Sequence, residues 1–176
     1  MTIQPCTIQG GGKTTVGNGN LFMAGSHVGH DCIVGSHNIF ANGVGLSGHV
    51  TIFDYAVVGG MVGIHQFCRI GNNAMIGGGA MVTQDVPPFC NAQGDRAKIR
   101  GLNLVGMQRA GFTNEQIQDV KKLYRHLFTG TGNLNDKLQT VSEELKKLAH
   151  INLMLDFIKA SSRGICPTDK TSVDQD

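Results

Sequence analysis

From Val16 onward, large apolar residues return at every sixth position: Val16, Phe22, Val28, Val34, Phe40, Leu46, Ile52, Val58, Ile64, Ile70, Ile76 and Val82. The residue after each is mostly small (Gly17, Gly29, Gly35, Ala41, Ser47, Gly59, Gly71, Gly77). Four positions past the beat stand modest residues such as Cys32, Val44, Val50, Ala56, Val62, Cys68, Ala74, Ala80 and Val86. An α-helix repeats every 3.6 residues and a half-buried strand every two, so neither makes a period of six. A chain that turns a corner every six residues does. Its large residue points inward, its small residue passes the corner, and three short parallel strands close one coil. The pattern predicts an all-β left-handed parallel β-helix of hexapeptide repeats. Twelve beats without a miss weigh against the competing architecture, a glycine-rich antiparallel barrel.

Before Val16 the beat slips. Ile8 to Val16 is eight residues, two too many for one hexad, and the surplus coincides with Gln9-Gly10-Gly11-Gly12, read as a small loop budding from the solenoid. Thr2-Ile3 already reads as strand with no capping segment ahead of it, so the sequence reads as either a fragment or a form short of several N-terminal coils. At the other end, Asp85-Val86-Pro87-Pro88 stops the beat, because proline donates no ladder hydrogen bond. Three helices are predicted beyond it. Thr113-Asn114-Glu115-Gln116 has the form of a capping box. It opens a helix with Ile117, Val120, Leu123, Tyr124, Leu127 and Phe128 on one side, closed by Gly130 and Gly132. A second helix is predicted over about 136–149 on Leu138, Val141, Leu145 and Leu148, and a third over about 152–161 on Leu155, Phe157 and Ile158.

Composition divides the chain in the same region. Of 25 glycines, 19 lie in residues 1–94, where the only cations are Lys13 and Arg69; the remaining 82 residues hold thirteen cations. The expected organisation is a β-helix over 1–94, a helical domain over 95–164 and a polar, disordered tail over 165–176. From Arg96 to Arg125, seven cations (Arg96, Lys98, Arg100, Arg109, Lys121, Lys122, Arg125) face Glu115 and Asp119. That excess suits an anionic partner such as a nucleotide diphosphate or an acidic carrier protein. Nucleic acid fits less well, since the net charge is only +2 and no aromatics interleave the cations. The five cysteines are odd in number and lack CxxC spacing, which favours reduced thiols in the cytoplasm over a disulfide framework. No apolar run approaches the ~20 residues that span a bilayer, and Met1–Gly10 lacks the regions of a signal peptide.

Candidate chemistry concentrates between Phe22 and Val50. With three hexads to a coil, positions 18 apart stack at about 4.8 Å. The hexads beginning at Val28, Leu46 and Ile64 then share one face and bring together His30, His49 and His65, with His27 at the entering corner and Asp31 beside His30. Gly48 stacks on His30, and His49 on Asp31. Two chemistries fit this cluster. His30 acts as a general base with Asp31 fixing its tautomer, or three histidines hold zinc, as in carbonic anhydrases built on this fold. His37 falls on a different face and is assigned no role. Gly77-Gly78-Gly79 precedes no helix and so is not a phosphate cradle; a tight corner or the close approach of a ligand chain explains it.

The segments IQGGG (Ile8–Gly12), NLFMAGSHVGHDCIVG (Asn20–Gly35), Gly48-His49-Val50, GGMVGIHQFC (Gly59–Cys68), QDVPP (Gln84–Pro88), Gln93-Gly94, GLNLVGMQRAGF (Gly101–Phe112) and Ser162-Arg163-Gly164 resemble one family. It is the UDP-N-acetylglucosamine O-acyltransferases that begin lipid A synthesis in Gram-negative bacteria. The sister N-acyltransferase of that pathway, the runner-up, usually has Asn after its catalytic histidine and lacks the HQF segment. The resemblance implies a homotrimer with sites in clefts between neighbouring β-helices and no cofactor or metal. It implies that His30, supported by Asp31, deprotonates the sugar 3-hydroxyl for attack on a 3-hydroxyacyl acyl carrier protein, with the Gly48 amide stabilising the oxyanion. It also implies that His27, His49, His65 and Gln66 position sugar and acyl groups, that Asn103 and Arg109 reach the uridine nucleotide, and that Gly78 gauges acyl length. Lys121, Lys122 and Arg125 would dock the carrier. Relatives carry several coils ahead of the segment matching Thr2, and Pro5 and Arg96 replace residues that are commonly Arg and His.

Overall fold

The sixfold beat forms the inner lining of a three-sided left-handed parallel β-helix. The structure, a computed structural model, describes residues 1–8 and 12–169. The first face stacks β1 (Thr2–Ile3), β4 (His27–Val28), β7 (Gly45–Leu46), β10 (Gly63–Ile64) and β13 (Met81–Val82). The second stacks β2 (Thr15–Val16), β5 (Ile33–Val34), β8 (Thr51–Ile52) and β11 (Arg69–Ile70). The third carries β3 (Leu21–Phe22), β6 (Ile39–Phe40), β9 (Val57–Val58), β12 (Met75–Ile76) and β14 (Cys90–Gln93), which is extended by the antiparallel β15 (Lys98–Leu102). From β4 to β13 the register advances by one coil, His27 opposite Gly45 and Gly45 opposite Gly63. Every beat residue from Val28 to Val82 is at most 2 % exposed, and each such burial stabilises the fold by roughly 1.5–3 kcal/mol.

The corners are as regular as the strands. Asp31, His37, His49, Tyr55, Met61, Phe67 and Asn73 all take a left-handed φ of 55–66°, and Gly19, Gly25, Gly43 and Gly79 fill the same position in other hexads. A residue with a Cβ gives up about 1–2 kcal/mol there. The stacked corners offset that cost with hydrogen bonds along the axis, His49 N–H to His30 O at 2.9 Å and Tyr55 N–H to Ser36 O at 3.0 Å. Inside the same coils Asn20 Oδ1 accepts from Asn38 N–H and Asn38 Oδ1 from Ala56 N–H, at 2.8 and 2.7 Å.

Two features of the β-helix differ from the sequence expectation. Thr2 pairs with His27, 25 residues on instead of 18, so seven extra residues lie between β1 and β2, not two. Ile8 mimicked a beat residue, but it is fully exposed. Of the loop expected at Gln9–Gly12, residues 9–11 lie outside the described residues. At the other end Pro87 and Pro88 pass a corner, where no ladder donor is required and where a Cβ on Gly71 would strike Pro88. The third face therefore continues through β14 and β15, and the compositional boundary at Gln93–Asp95 falls in their turn, at Gly94 with φ +108°.

The helical part begins at α1 (Leu104–Arg109), which the apolar pattern did not reveal. Asn103 Oδ1 caps it by accepting from Gly106 N–H. The helix α2 (Asn114–Phe128) opens with the expected capping box, Thr113 and Gln116 exchanging both hydrogen bonds. The single helix expected over 136–149 is instead α3 (Leu134–Gln139) and α4 (Glu143–Lys146), divided at Thr140–Ser142 because Ser142 caps a new start. The last helix, α5 (Ala149–Lys159), docks on the second face. There Arg69 lies between Phe157 and Phe53, its guanidinium carbon 4.3 Å from the Phe157 ring centre, and donates to Phe157 O at 3.2 Å. Residues 165–169, expected in a disordered tail, are bridged instead. Ile165 pairs with Asp85, Thr168 pairs with Ile99, and Asp169 forms an ion pair with Arg100. Residues 170–176 of that tail lie outside the described residues. No helix among the described residues is long and apolar enough to cross a membrane.

Candidate active site

Residues 29–31, 47–49, 65–67 and 83–85 stack along the edge between the first and second faces. Asp31 anchors one end of it. Its side chain is 1 % exposed. Its Oδ2 accepts from Thr7 Oγ1 at 2.8 Å and from Thr7 N–H at 3.1 Å, and Oδ1 lies 3.2 Å from the same amide. Thr14 Oγ1 accepts from Asp31 N–H at 2.8 Å. The extra residues between β1 and β2 therefore have a purpose: near the two ends of that stretch, Thr7 donates to the Asp31 carboxylate and Thr14 accepts from the Asp31 backbone N–H. Sequence reading missed both threonines, since neither belongs to the sixfold pattern; the slipped beat was the one signal that something lay there.

Asp31 Oδ2 also stands 2.9 Å from His30 Nδ1. An ionised carboxylate only accepts, so Nδ1 carries the proton and Nε2 keeps a lone pair. Burial by itself would raise the Asp31 carboxyl. The hydrogen bonds from His30 and Thr7, with His49 nearby, hold it below its ordinary range, so it stays ionised and keeps that tautomer in place. The free edge of the ring lies over Gly48, where a Cβ would come within 2.5 Å of Nε2. Only a bare backbone fits. The Gly48 N–H donates to no acceptor among the described residues.

His49 meets His30 edge to face, ring centres 5.1 Å apart, and lies flat on Phe67 at 4.7 Å. His27 Nδ1 is 2.6 Å from Thr2 Oγ1. His65 and Gln66 are exposed one coil beyond Gly48, and Arg163 reaches His65. The edge thus unites His27, His30, Asp31, Gly48, His49, His65 and Gln66, as the stacking of positions 18 apart predicted. His30, Asp31 and His49 have donor atoms within 4.8 Å of one another, close enough to share an ion. Such an ion would have to displace the Thr7 and His30 protons from Asp31, whose Oδ2 accepts three hydrogen bonds.

The other candidate residues lie elsewhere on the prism. Asn103 donates to Asn73 O at 2.9 Å and, with Arg109, borders a groove of about 600 Å³ on the edge between the second and third faces. His37, assigned no role from the sequence, lines that groove stacked on Tyr55 at 5.0 Å. Gly78 stands on the third edge, its position of a Cβ 3.3 Å from Gly60 O. Lys121, Lys122 and Arg125 lie on α2, where Lys122 Nζ is 3.3 Å from Asp119 Oδ1. A larger cavity of about 820 Å³, between the end of α2 and residues 165–168, contains none of the candidate histidines.

Two family models match the sequence: the bacterial transferase hexapeptide over residues 13–48, and domain 2 of the UDP-N-acetylglucosamine O-acyltransferases over residues 85–166. A relative from Aliarcobacter butzleri, the acyl-[acyl-carrier-protein]–UDP-N-acetylglucosamine O-acyltransferase, is 47 % identical over 164 residues, 92 % of this chain and 62 % of its own length. The chain is similar to these O-acyltransferases over most of its length. A second O-acyltransferase, from Anaeromyxobacter sp. Fw109-5, is also 47 % identical, over 94 % of this chain and 64 % of its own. The crystal structure of the Francisella novicida UDP-N-acetylglucosamine acyltransferase superposes with a TM-score of 0.90 at 36 % identity, covering 99 % of this chain and 66 % of that one. The chain thus spans a little under two thirds of the length of these O-acyltransferases.

Proposed function

We propose that this chain is a cytoplasmic acyltransferase that moves a 3-hydroxyacyl group from acyl carrier protein to the 3-hydroxyl of UDP-N-acetylglucosamine, a step of lipid A synthesis. The observation that carries the reading is the Asp31–His30–Gly48 arrangement. It supplies one nitrogen lone pair on an oriented imidazole beside an unpaired backbone N–H. His30 Nε2 takes the proton of the sugar hydroxyl as that oxygen bonds to the thioester carbonyl carbon. The carbonyl oxygen becomes an oxyanion, to which Gly48 N–H donates. Collapse reforms the carbonyl and breaks the carbon–sulfur bond, and the carrier's thiolate leaves with the proton His30 had taken. The names of the matched relatives favour this O-acyl transfer over the sister N-acyl reaction. The mechanism requires no cofactor and no metal. The five free thiols agree with a cytoplasmic setting.

The working unit is a homotrimer. The histidine edge and the Asn103–Arg109 groove are on different edges of one chain, so a site that uses both draws the groove from a neighbouring copy. His27, His49, His65 and Gln66 position sugar and acyl groups, Asn103 and Arg109 hold the nucleotide, and Gly78 bounds the acyl chain. Lys121, Lys122 and Arg125 dock the acidic carrier. The test is transfer to UDP-N-acetylglucosamine from carriers of several acyl lengths, with the oligomer sized by light scattering. His30→Ala is expected to lose about 10³-fold in kcat while its oligomer is unchanged. Appreciable residual turnover, or activity that tracks stoichiometric zinc and vanishes on chelation, overturns the reading.

A further inference from the structure

Further along the histidine edge, past Gly48, a second imidazole is held in the opposite sense. Arg163 donates Nε–H to Thr83 O at 2.8 Å, and its Nη2 stands 3.0 Å from His65 Nδ1. The segment that carries Arg163 is fixed on both flanks beneath the last corner. Asp85 N–H donates to Gly164 O at 2.9 Å, Cys166 N–H to Asp85 O at 2.9 Å, and Ser161 Oγ–H to Asp85 Oδ2 at 2.8 Å. The guanidinium is therefore delivered by an ordered piece of backbone, 98 residues away in sequence.

A guanidinium has only donors and keeps its charge in proteins. A ring nitrogen 3.0 Å from an arginine N–H has to offer its lone pair, so the proton of a neutral His65 resides on Nε2. Gln66 O lies 3.3 Å from the same Nδ1, a contact that calls for the reverse tautomer. Both partners have fixed roles, and the arginine contact decides because it is the shorter of the two and its donor is charged.

We propose that Arg163 is a positioning residue that locks His65 in its neutral Nε2–H form, making His65 a hydrogen-bond donor to an acceptor oxygen of the sugar nucleotide and not a second base. His30 and His65 are then complementary. One Nδ1 is tied to an acceptor, leaving a basic Nε2; the other is tied to a donor, leaving a protonated Nε2. The tautomer follows from geometry alone, while its service to the substrate rests on the acyltransferase reading.

The test is long-range ¹H–¹⁵N NMR on the full chain, recorded well above the titration range of imidazole, with His65 assigned by its loss in His65→Gln. Wild type is expected to show an unprotonated Nδ1 and a protonated Nε2, and Arg163→Met a mixture of the two tautomers. In assays Arg163→Met is expected to raise KM for the sugar nucleotide about tenfold with kcat within about twofold, the pattern of a lost binding contact. A wild-type spectrum with Nδ1 protonated overturns the proposal whether or not any variant folds. So does an Arg163→Met enzyme whose kcat falls at unchanged KM, the sign of a smaller folded fraction. A wild-type chain that transfers no acyl group ends the acyltransferase reading, and the spectrum then still decides the tautomer.

Discussion

Asp31 and Asp85 occupy one column of the same edge, three coils apart, and their side chains are 1 % and 0 % exposed. The backbone offers both the same place, yet their chemistry diverges. Asp31 is surrounded by donors, and its carboxyl is held below the ordinary range against the effect of burial. At Asp85 burial prevails and pushes the carboxyl up. The Ser161 hydroxyl, the Arg69 amide and the two nearby guanidiniums of Arg69 and Arg163 oppose the rise without cancelling it. Asp31 keeps a charge beside a half-exposed histidine. Asp85 ties α5 and residues 161–166 to the end of the solenoid through Ser161 and Arg69. A repeated backbone therefore does not fix what a repeated residue does; the donors brought in by non-repeating segments do.

The comparison is broken most severely at the Asp31 end by Gly48→Ala. Its methyl group would overlap the His30 ring, so kcat is expected to fall about 10³-fold, with the melting temperature close to wild type because the edge is open to solvent there. Asp31→Asn leaves the site's shape intact but removes the fixed tautomer. Its kcat is expected to drop roughly 10²-fold, measured with saturating carrier and sugar nucleotide. At the other end Asp85→Ala strands the Arg69 amide and the Ser161 hydroxyl. It is expected to cost about 2–4 kcal/mol in denaturant unfolding, with kcat of the folded fraction unchanged. If Asp85→Ala instead damaged catalysis as Asp31→Asn does, the distinction between the two carboxylates would fail.

The smallest effect concerns pH and has opposite signs at the two ends. A carboxyl held low in the fold contributes stability that is present above its unfolded value and lost as pH falls through the folded one. Thr7→Val, which removes a donor from Asp31, is expected to melt a few degrees lower at neutral pH. That gap should close as pH drops below about 4, the ordinary carboxylate value. For Asp85 the fold holds the proton more tightly than the unfolded chain does. Stability is then lost as pH rises from the ordinary carboxylate value through the raised one, and Asp85→Asn is expected to abolish that loss. Thermal melts of both variants across the acid range check the two signs together.

Much of the β-helix was legible because each hexad repeats one decision: large residue in, small residue at the corner. The same regularity made His30, Gly48 and His49 neighbours by arithmetic alone. What escaped was whatever broke the repeat. Ile8 imitated a beat residue and hid the true size of the insertion, so Thr7 and Thr14 stayed invisible as partners of Asp31. Arg163 reached His65 from the far end of the chain, and a contact across 98 residues leaves no periodic trace. The helix expected over 136–149 was misread because its apolar stripe spans a break set by one capping serine.

The left-handed corners set a quantum for change along this molecule. Because the three edges recur in order, a deletion of one whole coil leaves every later imidazole and carboxylate facing the side it faced before. Losing a length that is not a whole number of coils moves the remainder of the prism out of register with its edges. Detours such as the one between β1 and β2 escape the rule by leaving the lattice and rejoining it in phase. New chemistry enters this architecture most readily there, as an excursion that returns on the count.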